Sequence, residues 1–167
     1  FGFLEIKKII KAMKSQSGKQ FFSNNYQLII DREDIIIVLL ERNDDNVSIT
    51  KDQRKIDNPL KIKFMYSLDC SITKDLNIEK FDAEKISFPL TIRKWRKGDK
   101  FKPLGMSNFK KLSDFFIDEK YSILDKKQQW LLCSENDIIW IVGNRIDDRY
   151  KIRDHTKKVY IAEILKD

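Results

Sequence analysis

The most concentrated chemistry in this sequence is a run of basic residues between positions 93 and 111. The stretch RKWRKGDKFKPLGMSNFKK holds eight cations against one acid, so its net charge of +7 equals the formal excess of the whole 167-residue chain. Clustered Lys and Arg side chains attract phosphate groups, and the run therefore predicts a nucleic-acid backbone site, with a merely solvated face as the alternative. The cations are Arg93, Lys94, Arg96, Lys97, Lys100, Lys102, Lys110 and Lys111.

Three aromatic residues, Trp95, Phe101 and Phe109, are interleaved with these cations. Unpaired nucleobases stack on exposed aromatic rings in many RNA-binding proteins. Aromatic residues within a hairpin, however, more commonly pack into the protein core. Core packing is therefore the interpretation we favour for the three rings, and base stacking stays open as the alternative.

No set of residues elsewhere in the sequence indicates catalysis. His155 is the single histidine, which excludes His-based triads and multi-histidine metal sites, and its setting in RDHTKK predicts an exposed loop. The two closest glycines, Gly98 and Gly105, are too far apart for a phosphate-cradling loop. We therefore predict that this chain carries no catalytic residues, no metal and no cofactor of its own.

Two further features have structural explanations. Asp147 and Asp148 are adjacent acids flanked by Arg145 and Arg149. Adjacent residues on a strand point to opposite faces, so ion pairing explains these acids better than an acid/base pair does. Cys133 lies in the apolar run WLLCS and is predicted to be a small core residue rather than a nucleophile.

The elements that must position the basic run follow from apolar spacing. Apolar residues three and four apart predict helices over 3–14, 108–119 and 122–129, the last begun by a capping box of Ser122 and Asp125. Runs rich in Ile, Val, Phe and Tyr predict strands. These runs are KQFFS, YQLIID, DIIIVLL, NVSIT, KIKFMYSL, FPLTIRKW, WLLCS, DIIWIVG and VYIAEIL.

Turn residues predict how the strands nearest the basic run pair. DRED at 31–34 predicts a hairpin around 26–40, and Gly98-Asp99 predicts another around 90–102. The helix predicted from Asn108 then carries Lys110 and Lys111 in its first turns. Because a helix start prefers acids, cations there favour an external anion as their partner.

Bulk properties indicate an α+β fold with a sheet-rich body and a few short helices. The chain is long enough to bury one ordinary core. Its longest apolar run, IIIVLL at 35–40, is too short for a membrane span. Two distant cysteines and the lack of a secretory signal pattern predict a cytoplasmic protein that contacts no membrane. The chain starts without Met, so we expect a fragment or a processed piece.

A series of ordered motifs resembles the C-terminal domain of bacterial tRNA(Ile)-lysidine synthetase. The motifs are Pro-Leu-x-x-Arg, a basic Gly-Asp turn, Pro-x-Gly-Met, Lys-Lys-Leu-x-Asp-Phe-Phe-x-Asp and Trp-x-x-Gly-x-Arg-Ile-Asp, and they span about 88–160. SGKQFFSNNYQLIIDRED at 17–34 resembles the part of that family just upstream. The resemblance implies a fold similar to the PheT/TilS-type domain of the phenylalanyl-tRNA synthetase β subunit. We expect a helical remnant of an upstream domain at 1–17 and a C-terminal tRNA-binding α+β domain at 18–167.

The resemblance also implies a function. Enzymes of this family use ATP to adenylate the wobble cytidine of an isoleucine tRNA and then attach lysine. That chemistry belongs to an N-terminal PP-loop domain marked by Ser-Gly-Gly-x-Asp-Ser, a motif that this sequence lacks. The chain is thus expected to be a noncatalytic portion that holds the acceptor stem and body of tRNA(Ile). Its expected partners are that tRNA and its own N-terminal catalytic domain, and protein docking or homodimer formation stays open as the alternative role.

Residues matching the family's basic and acidic positions receive roles from the same resemblance. The matching basic residues are Arg93, Arg96, Lys110, Lys111, Arg145 and Arg149, which join Lys94, Lys97, Lys100 and Lys102 as the predicted nucleic-acid-binding set. Asp114, Asp118 and Asp147 match recurrent acids, for which we expect structural roles in capping and in pairing with nearby arginines.

Overall fold

The structure of the chain, a computed structural model, describes residues 2–14, 18–23, 26–31, 34–39 and 46–166. The chain divides into two compact units. The first unit consists of residues 1–44 and 121–126, and the second of residues 45–120 and 127–167.

Short strands dominate the part of the chain that the structure describes. The helices are α1 (Phe3–Met13), α2 (Leu112–Asp118) and α3 (Ile123–Gln128), with 3-10 helices at Ala83–Lys85 and Asp148–Tyr150. The strands are β1 (Gln20–Phe22), β2 (Tyr26–Asp31), β3 (Asp34–Leu39), β4 (Val47–Ile49), β5 (Lys55–Ile56), β6 (Ile62–Ser67), β7 (Ile78–Asp82), β8 (Leu90–Lys94), β9 (Lys100–Phe101), β10 (Lys110–Lys111), β11 (Trp130–Ser134), β12 (Asp137–Ile141), β13 (Arg145–Ile146) and β14 (Val159–Ile164). The predicted sheet-rich α+β class is confirmed.

The first unit combines α1 with an antiparallel sheet in the order β1-β2-β3. Ile9 and Ala12 occupy one face of α1 and share a buried core with Leu28 and Ile30 of β2. The predicted hairpin around 26–40 is confirmed by the β2–β3 register, and its connecting residues 32 and 33 lie outside the described residues. The helix and the hairpin thus belong to one compact unit, and the domain boundary predicted after residue 17 stays a prediction.

The second unit contains two larger antiparallel sheets that share a buried cluster, and the two-stranded β9–β10 pair. One sheet has the order β13-β12-β11-β8-β4, and the other has the order β5-β6-β14-β7. Leu132 and Trp140 from the first sheet pack in the same buried cluster as Phe64, Phe81 and Tyr160 from the second. The rings of Phe81 and Trp140 meet edge to face, with centroids 6.3 Å apart. Leu90 and Ile92 of the interior strand β8 belong to this cluster, and β8 leads into the basic run.

The predicted hairpin around 90–102 is wrong, although its turn is present. Gly98 has a φ of +97°, and the backbone N–H of Asp99 donates to the carbonyl of Arg96 at 3.1 Å. Strand β8 cannot pair with β9, because β4 and β11 already occupy both of its edges. The chain that leaves the turn pairs instead with β10, further along the sequence.

Candidate nucleic-acid interface

The start of the basic run is an ion pair that closes the turn. Arg93 Nη1 donates to Asp99 Oδ2 at 2.8 Å, and Arg93 Nη2 donates to Asp99 Oδ1 at 2.9 Å. The same carboxylate accepts the backbone N–H of Arg96 at 2.8 Å. Both partners are 14% exposed, and the hydrogen bonds to Asp99 raise the pKa of the Arg93 guanidinium. Arg93 therefore organises the turn, and its donors are directed at Asp99.

The β9–β10 pair brings two lysines face to face. Lys100 lies directly opposite Lys111, and Phe101 lies opposite Lys110. Residues directly opposite in an antiparallel pair project to the same face, so the exposed Lys100 and Lys111 share one surface while the buried Phe101 faces the core. Like charges in this arrangement repel and destabilise the strand pair.

The predicted helix over 108–119 starts four residues later than expected. Lys110 and Lys111 form β10, and α2 begins at Leu112 with Lys111 as its N-cap. Apolar spacing misled the prediction because Phe109 stands outside the helix. The prediction that both lysines lie in the first turns of the helix is therefore wrong: Lys110 precedes α2, and Lys111 stands at its N-cap. The Lys100–Lys111 pair is the stronger reason to look for an external anion.

Several cations of the predicted set are committed within the protein. Lys94 Nζ lies 3.6 Å from the centroid of the Trp130 ring and donates to the carbonyl of Gln128 at 2.8 Å. Lys110 Nζ forms a short ion pair with the carboxylate of Asp118. Asp118 thus has the structural pairing role that was expected, with a lysine in place of an arginine.

Arg149 is held even more firmly. Its Nε and Nη2 donate to the two carboxylate oxygens of Asp147, each at 2.9 Å, and its Nη1 donates to Asp137 Oδ2 at 2.9 Å. Asp147 is fully buried and also accepts the backbone N–H of Lys102 at 2.8 Å. Hydrogen bonding to Asp147 raises the pKa of Arg149. Structural ion pairing of Asp147 is confirmed. Asp137, the second partner of Arg149, was not predicted, because it lies twelve residues away in the sequence.

Asp148 completes the structural role predicted for the adjacent acids. Its carboxylate pairs with Lys151 at 2.8 Å and accepts the backbone N–H of Gly105 at 2.8 Å. The hydrogen bond from Lys151 has the largest effect on the pKa of Asp148, and together with the one from Gly105 it lowers that pKa. Asp114 lies in the first turn of α2 and accepts a hydrogen bond from the Ser113 hydroxyl at 3.2 Å.

The interleaved aromatic rings divide into two groups. Trp95 packs edge to face on Phe116, and the fully buried Phe101 packs in the same way on Phe115. Core packing is thus confirmed for Phe101, while Trp95 is half-buried against the fully buried Phe116. Phe109 differs, because it is 52% exposed, with Lys100 Nζ 5.2 Å and the Arg149 guanidinium carbon 4.9 Å from its ring centroid. The exposure of Phe109 could have been predicted from the sequence, because its neighbours in GMSNFKK are mostly polar.

The structure therefore sorts the predicted set by availability. Lys97, Lys100 and Lys111 are exposed and form no ion pair within the described residues. We call these three residues the lysine cluster; Lys97 lies in the turn that leads into β9, and the other two face each other across β9 and β10. Arg96 is exposed on the same turn. Lys102 is half-buried, and Arg145 lines a different part of the unit, a cavity beside Leu104 and Lys151.

The remaining sequence predictions concern reactive groups. Cys133 is 2% exposed, and burial raises the pKa of its thiol to about 11, which confirms a core residue. His155 is exposed in a loop, as predicted. Within the described ranges, no group of three His, Cys, Asp or Glu side chains is arranged to hold a metal ion. None of the helices described is long and apolar enough to cross a membrane.

Two family models match the chain. The model of the TilS substrate binding domain matches residues 1–40, and the model of the TilS substrate C-terminal domain matches residues 90–163. The chain is 38% identical over 161 residues to the tRNA(Ile)-lysidine synthase of Parabacteroides distasonis and 33% identical over 168 residues to that of Bacteroides thetaiotaomicron. These alignments cover 94% and 99% of the chain but 37% of each relative. The chain thus spans little more than a third of the length of these relatives.

Two solved structures share the fold. A crystal structure of the TilS C-terminal domain superposes with a TM-score of 0.57 at 16% identity, over 72% of this chain and 92% of that one. An N-terminal fragment of the phenylalanyl-tRNA synthetase β subunit from Pyrococcus horikoshii superposes with a TM-score of 0.51 at 15% identity, over 97% of this chain and 62% of that one. The chain is therefore a sheet-rich α+β protein of the PheT/TilS type. By its two family-model matches, it belongs to the tRNA(Ile)-lysidine synthase family.

Proposed function

We propose that this chain is the noncatalytic, tRNA-binding portion of a tRNA(Ile)-lysidine synthase. The observation that carries the proposal is the exposed pair of Lys100 and Lys111, two like charges placed directly opposite each other. A bound phosphate between or beside the two ammonium groups converts their repulsion into attraction. Lys97, exposed in the turn that leads into β9, adds a third cation close by in the sequence.

In this proposal the chain positions the tRNA and leaves the chemistry to another domain. Phosphate contacts fix the register and orientation of an RNA but carry no sequence information themselves. The lysine cluster therefore suits the acceptor stem and body of tRNA(Ile), recognised by their A-form backbone. Adenylation of the wobble cytidine by ATP and the attachment of lysine then occur in the catalytic domain of the same cytoplasmic enzyme.

The salt dependence of tRNA binding tests the proposal. Each phosphate neutralised releases counterions, so the affinity for a tRNA(Ile) transcript should fall steeply between low and high salt. Lys111→Ala should reduce the slope of log K against log salt by roughly 1. An affinity that stays flat across the salt series contradicts the proposal. Footprinting that protects the anticodon alone contradicts the assignment to the acceptor stem and body.

A second candidate function is docking on the catalytic domain of the same enzyme. It is favoured by three apolar side chains between β6 and β7, Leu68, Ile72 and Leu76, which are 79%, 84% and 63% exposed. Replacing all three by Ser should abolish binding to the separately produced catalytic domain while leaving tRNA affinity unchanged. Mass measurement by light scattering, with and without tRNA, separates docking from formation of a homodimer.

A further inference from the structure

Phe109 is an aromatic residue whose side chain is exposed to solvent. The side chain is 52% exposed, and it lies outside the buried cluster formed by the two sheets of the second unit. Full burial of a Phe side chain contributes about 1.5–3 kcal/mol to stability, and this position gains only part of that amount. Single exposed apolar side chains are ordinary at a protein surface, so what distinguishes Phe109 is the presentation of the ring and the charge around it.

The segment that presents Phe109 is anchored on both sides. Before the ring, Gly105 N donates to Asp148 Oδ1 at 2.8 Å, and Met106 N donates to the carbonyl of Pro103 at 2.9 Å. After the ring, Lys110 is tied to β9 by strand pairing and to α2 by the ion pair of its ammonium group. A ring on an anchored segment loses little conformational entropy when it binds a ligand.

The surroundings of the ring are cationic. Lys100 Nζ and the Arg149 guanidinium carbon lie 5.2 Å and 4.9 Å from the ring centroid. Arg149 is fixed by Asp147 and Asp137, whereas Lys100 forms no ion pair within the part of the chain that is described. Its flexible side chain is therefore able to leave the ring for an incoming phosphate, and Lys111 stands opposite it for a second one.

We infer that Phe109 is a stacking platform for an unpaired nucleobase of RNA, with the flanking phosphates held by Lys100 and Lys111. The inference rests on the proposed tRNA-binding function and extends it from the backbone to a base. An aromatic face beside a positive surface is the usual arrangement for binding single-stranded nucleic acid, because every base has a face that stacks. A base inside a duplex offers no such face, because neighbouring base pairs cover both of its faces.

The test compares two RNAs and three variants of this chain. The RNAs are a tRNA(Ile) transcript with its unpaired 3′ end and a blunt-ended RNA duplex without unpaired bases. The variants are Phe109→Ala, Phe109→Trp and, as a matched control, Ile117→Ala, which truncates another exposed apolar side chain on α2. Affinities are measured at one low salt concentration, and circular dichroism confirms that each variant is folded.

We expect Phe109→Ala to weaken tRNA binding about tenfold, in line with the loss of one base–aromatic stack, and to leave duplex binding within about twofold. Phe109→Trp should retain tRNA affinity, and the fluorescence that it adds over the wild type should be quenched when tRNA binds. Ile117→Ala should change neither affinity. Equal loss of affinity for both RNAs, or no loss for tRNA, overturns the inference.

The outcomes also separate this inference from the proposed function. If the wild-type chain binds neither RNA, the proposed function itself fails. If it binds both RNAs with the expected salt dependence and Phe109→Ala changes neither affinity, only the stacking inference fails. A change in the self-association of Phe109→Ala without a change in RNA affinity assigns the ring to a protein contact and likewise overturns the inference.

Discussion

Lys100 lies directly opposite Lys111 across the β9–β10 pair, and both residues are exposed. This pair is only two residues long in each strand, so it has few hydrogen bonds with which to offset the repulsion. Proteins commonly place opposite charges at such positions, where they contribute to stability. The proposed tRNA-binding function explains two lysines here, because the RNA supplies the negative charge.

The first prediction is that Lys111→Glu raises stability and lowers RNA affinity at the same time. The introduced carboxylate faces Lys100 and replaces repulsion by attraction, which should raise the free energy of unfolding by about 0.2–1 kcal/mol. The same change removes the proposed phosphate contact and places an acid on the proposed RNA-binding surface, so tRNA affinity should fall by about tenfold or more. Urea unfolding and filter binding measure the two effects.

The matched control for this variant is Lys51→Glu, which changes the net charge of the chain equally. Lys51 is exposed and follows β4 at the end that pairs with Leu90, whereas the basic run leaves β8 at the opposite end, after Lys94. Its tRNA affinity should stay within about threefold of the wild type, since distant exposed charges are largely screened. Equal loss of affinity in both variants would mean that Lys111 contributes to tRNA binding only through the net charge of the chain.

The second prediction concerns Arg93 and Asp99. Arg93→Ala leaves the carboxylate of Asp99, only 14% exposed, without its bidentate partner, and should lower the free energy of unfolding by about 2–4 kcal/mol. Arg93→Lys should lower the free energy of unfolding less than Arg93→Ala does, because the ammonium group keeps the positive charge. It should still lower it, because an ammonium group cannot form both hydrogen bonds. The tRNA affinity of Arg93→Lys, measured where the variant is folded, should change less than about twofold, because the native guanidinium is directed at Asp99. A large loss of affinity with intact stability would return Arg93 to the RNA-binding surface.

Strands and their buried faces were the most predictable part of the fold. Runs such as YQLIID and DIIWIVG carry β-branched and aromatic residues between polar turns, and the structure forms β2 and β12 there. Strand β7 was missed because IEKFD places Glu and Lys in its centre. Its position is set by hydrogen bonding along β14, a strand far away in the sequence. Local sequence carries no record of such a partner.

The location of the candidate site was predictable, and its geometry was not. The cluster of charge at residues 93–111 can be counted directly from the sequence, without knowledge of the fold. Which cations are available depends on side chains brought from elsewhere, such as Trp130 for Lys94 and Asp118 for Lys110. The position of α2 was misjudged because Phe109 fits the apolar spacing of the helix yet lies outside it.

The third prediction is that Asp147→Asn destabilises the second unit strongly. Asp147 is fully buried and accepts hydrogen bonds from the Arg149 guanidinium and from the backbone N–H groups of Lys102 and Arg149. Loss of its charge leaves Arg149 with one exposed partner, Asp137, and should lower the free energy of unfolding by about 2–4 kcal/mol. Asp118→Asn, which removes an ion pair at a side chain that is 60% exposed, is the control and should have a small effect. Similar losses in the two variants would contradict the importance assigned to burial.

The fourth prediction is a pH dependence of stability that originates at Glu79. This residue lies in β7 on the wall of a cavity of about 520 Å³, and burial raises the pKa of its carboxyl from an ordinary value of 4.5 to about 7. Between these two values the carboxyl is protonated in the folded chain and ionised in the unfolded chain. The unfolded state then binds fewer protons, so the contribution of Glu79 to stability falls as the pH rises from about 4.5 to about 7 and is constant above that range.

Glu79→Gln should remove this slope, because an amide does not ionise, and should raise the free energy of unfolding at a pH of about 8 by about 1–3 kcal/mol. Urea unfolding at a series of pH values across the range between the two pKa values and above it measures the effect for the variant and the wild type. Glu84→Gln, at an exposed carboxyl in the 3-10 helix that follows β7, is the control and should leave the slope unchanged. If the slope of the wild type persists in Glu79→Gln, the pH dependence originates at another group, because the variant has no ionisable side chain at this position.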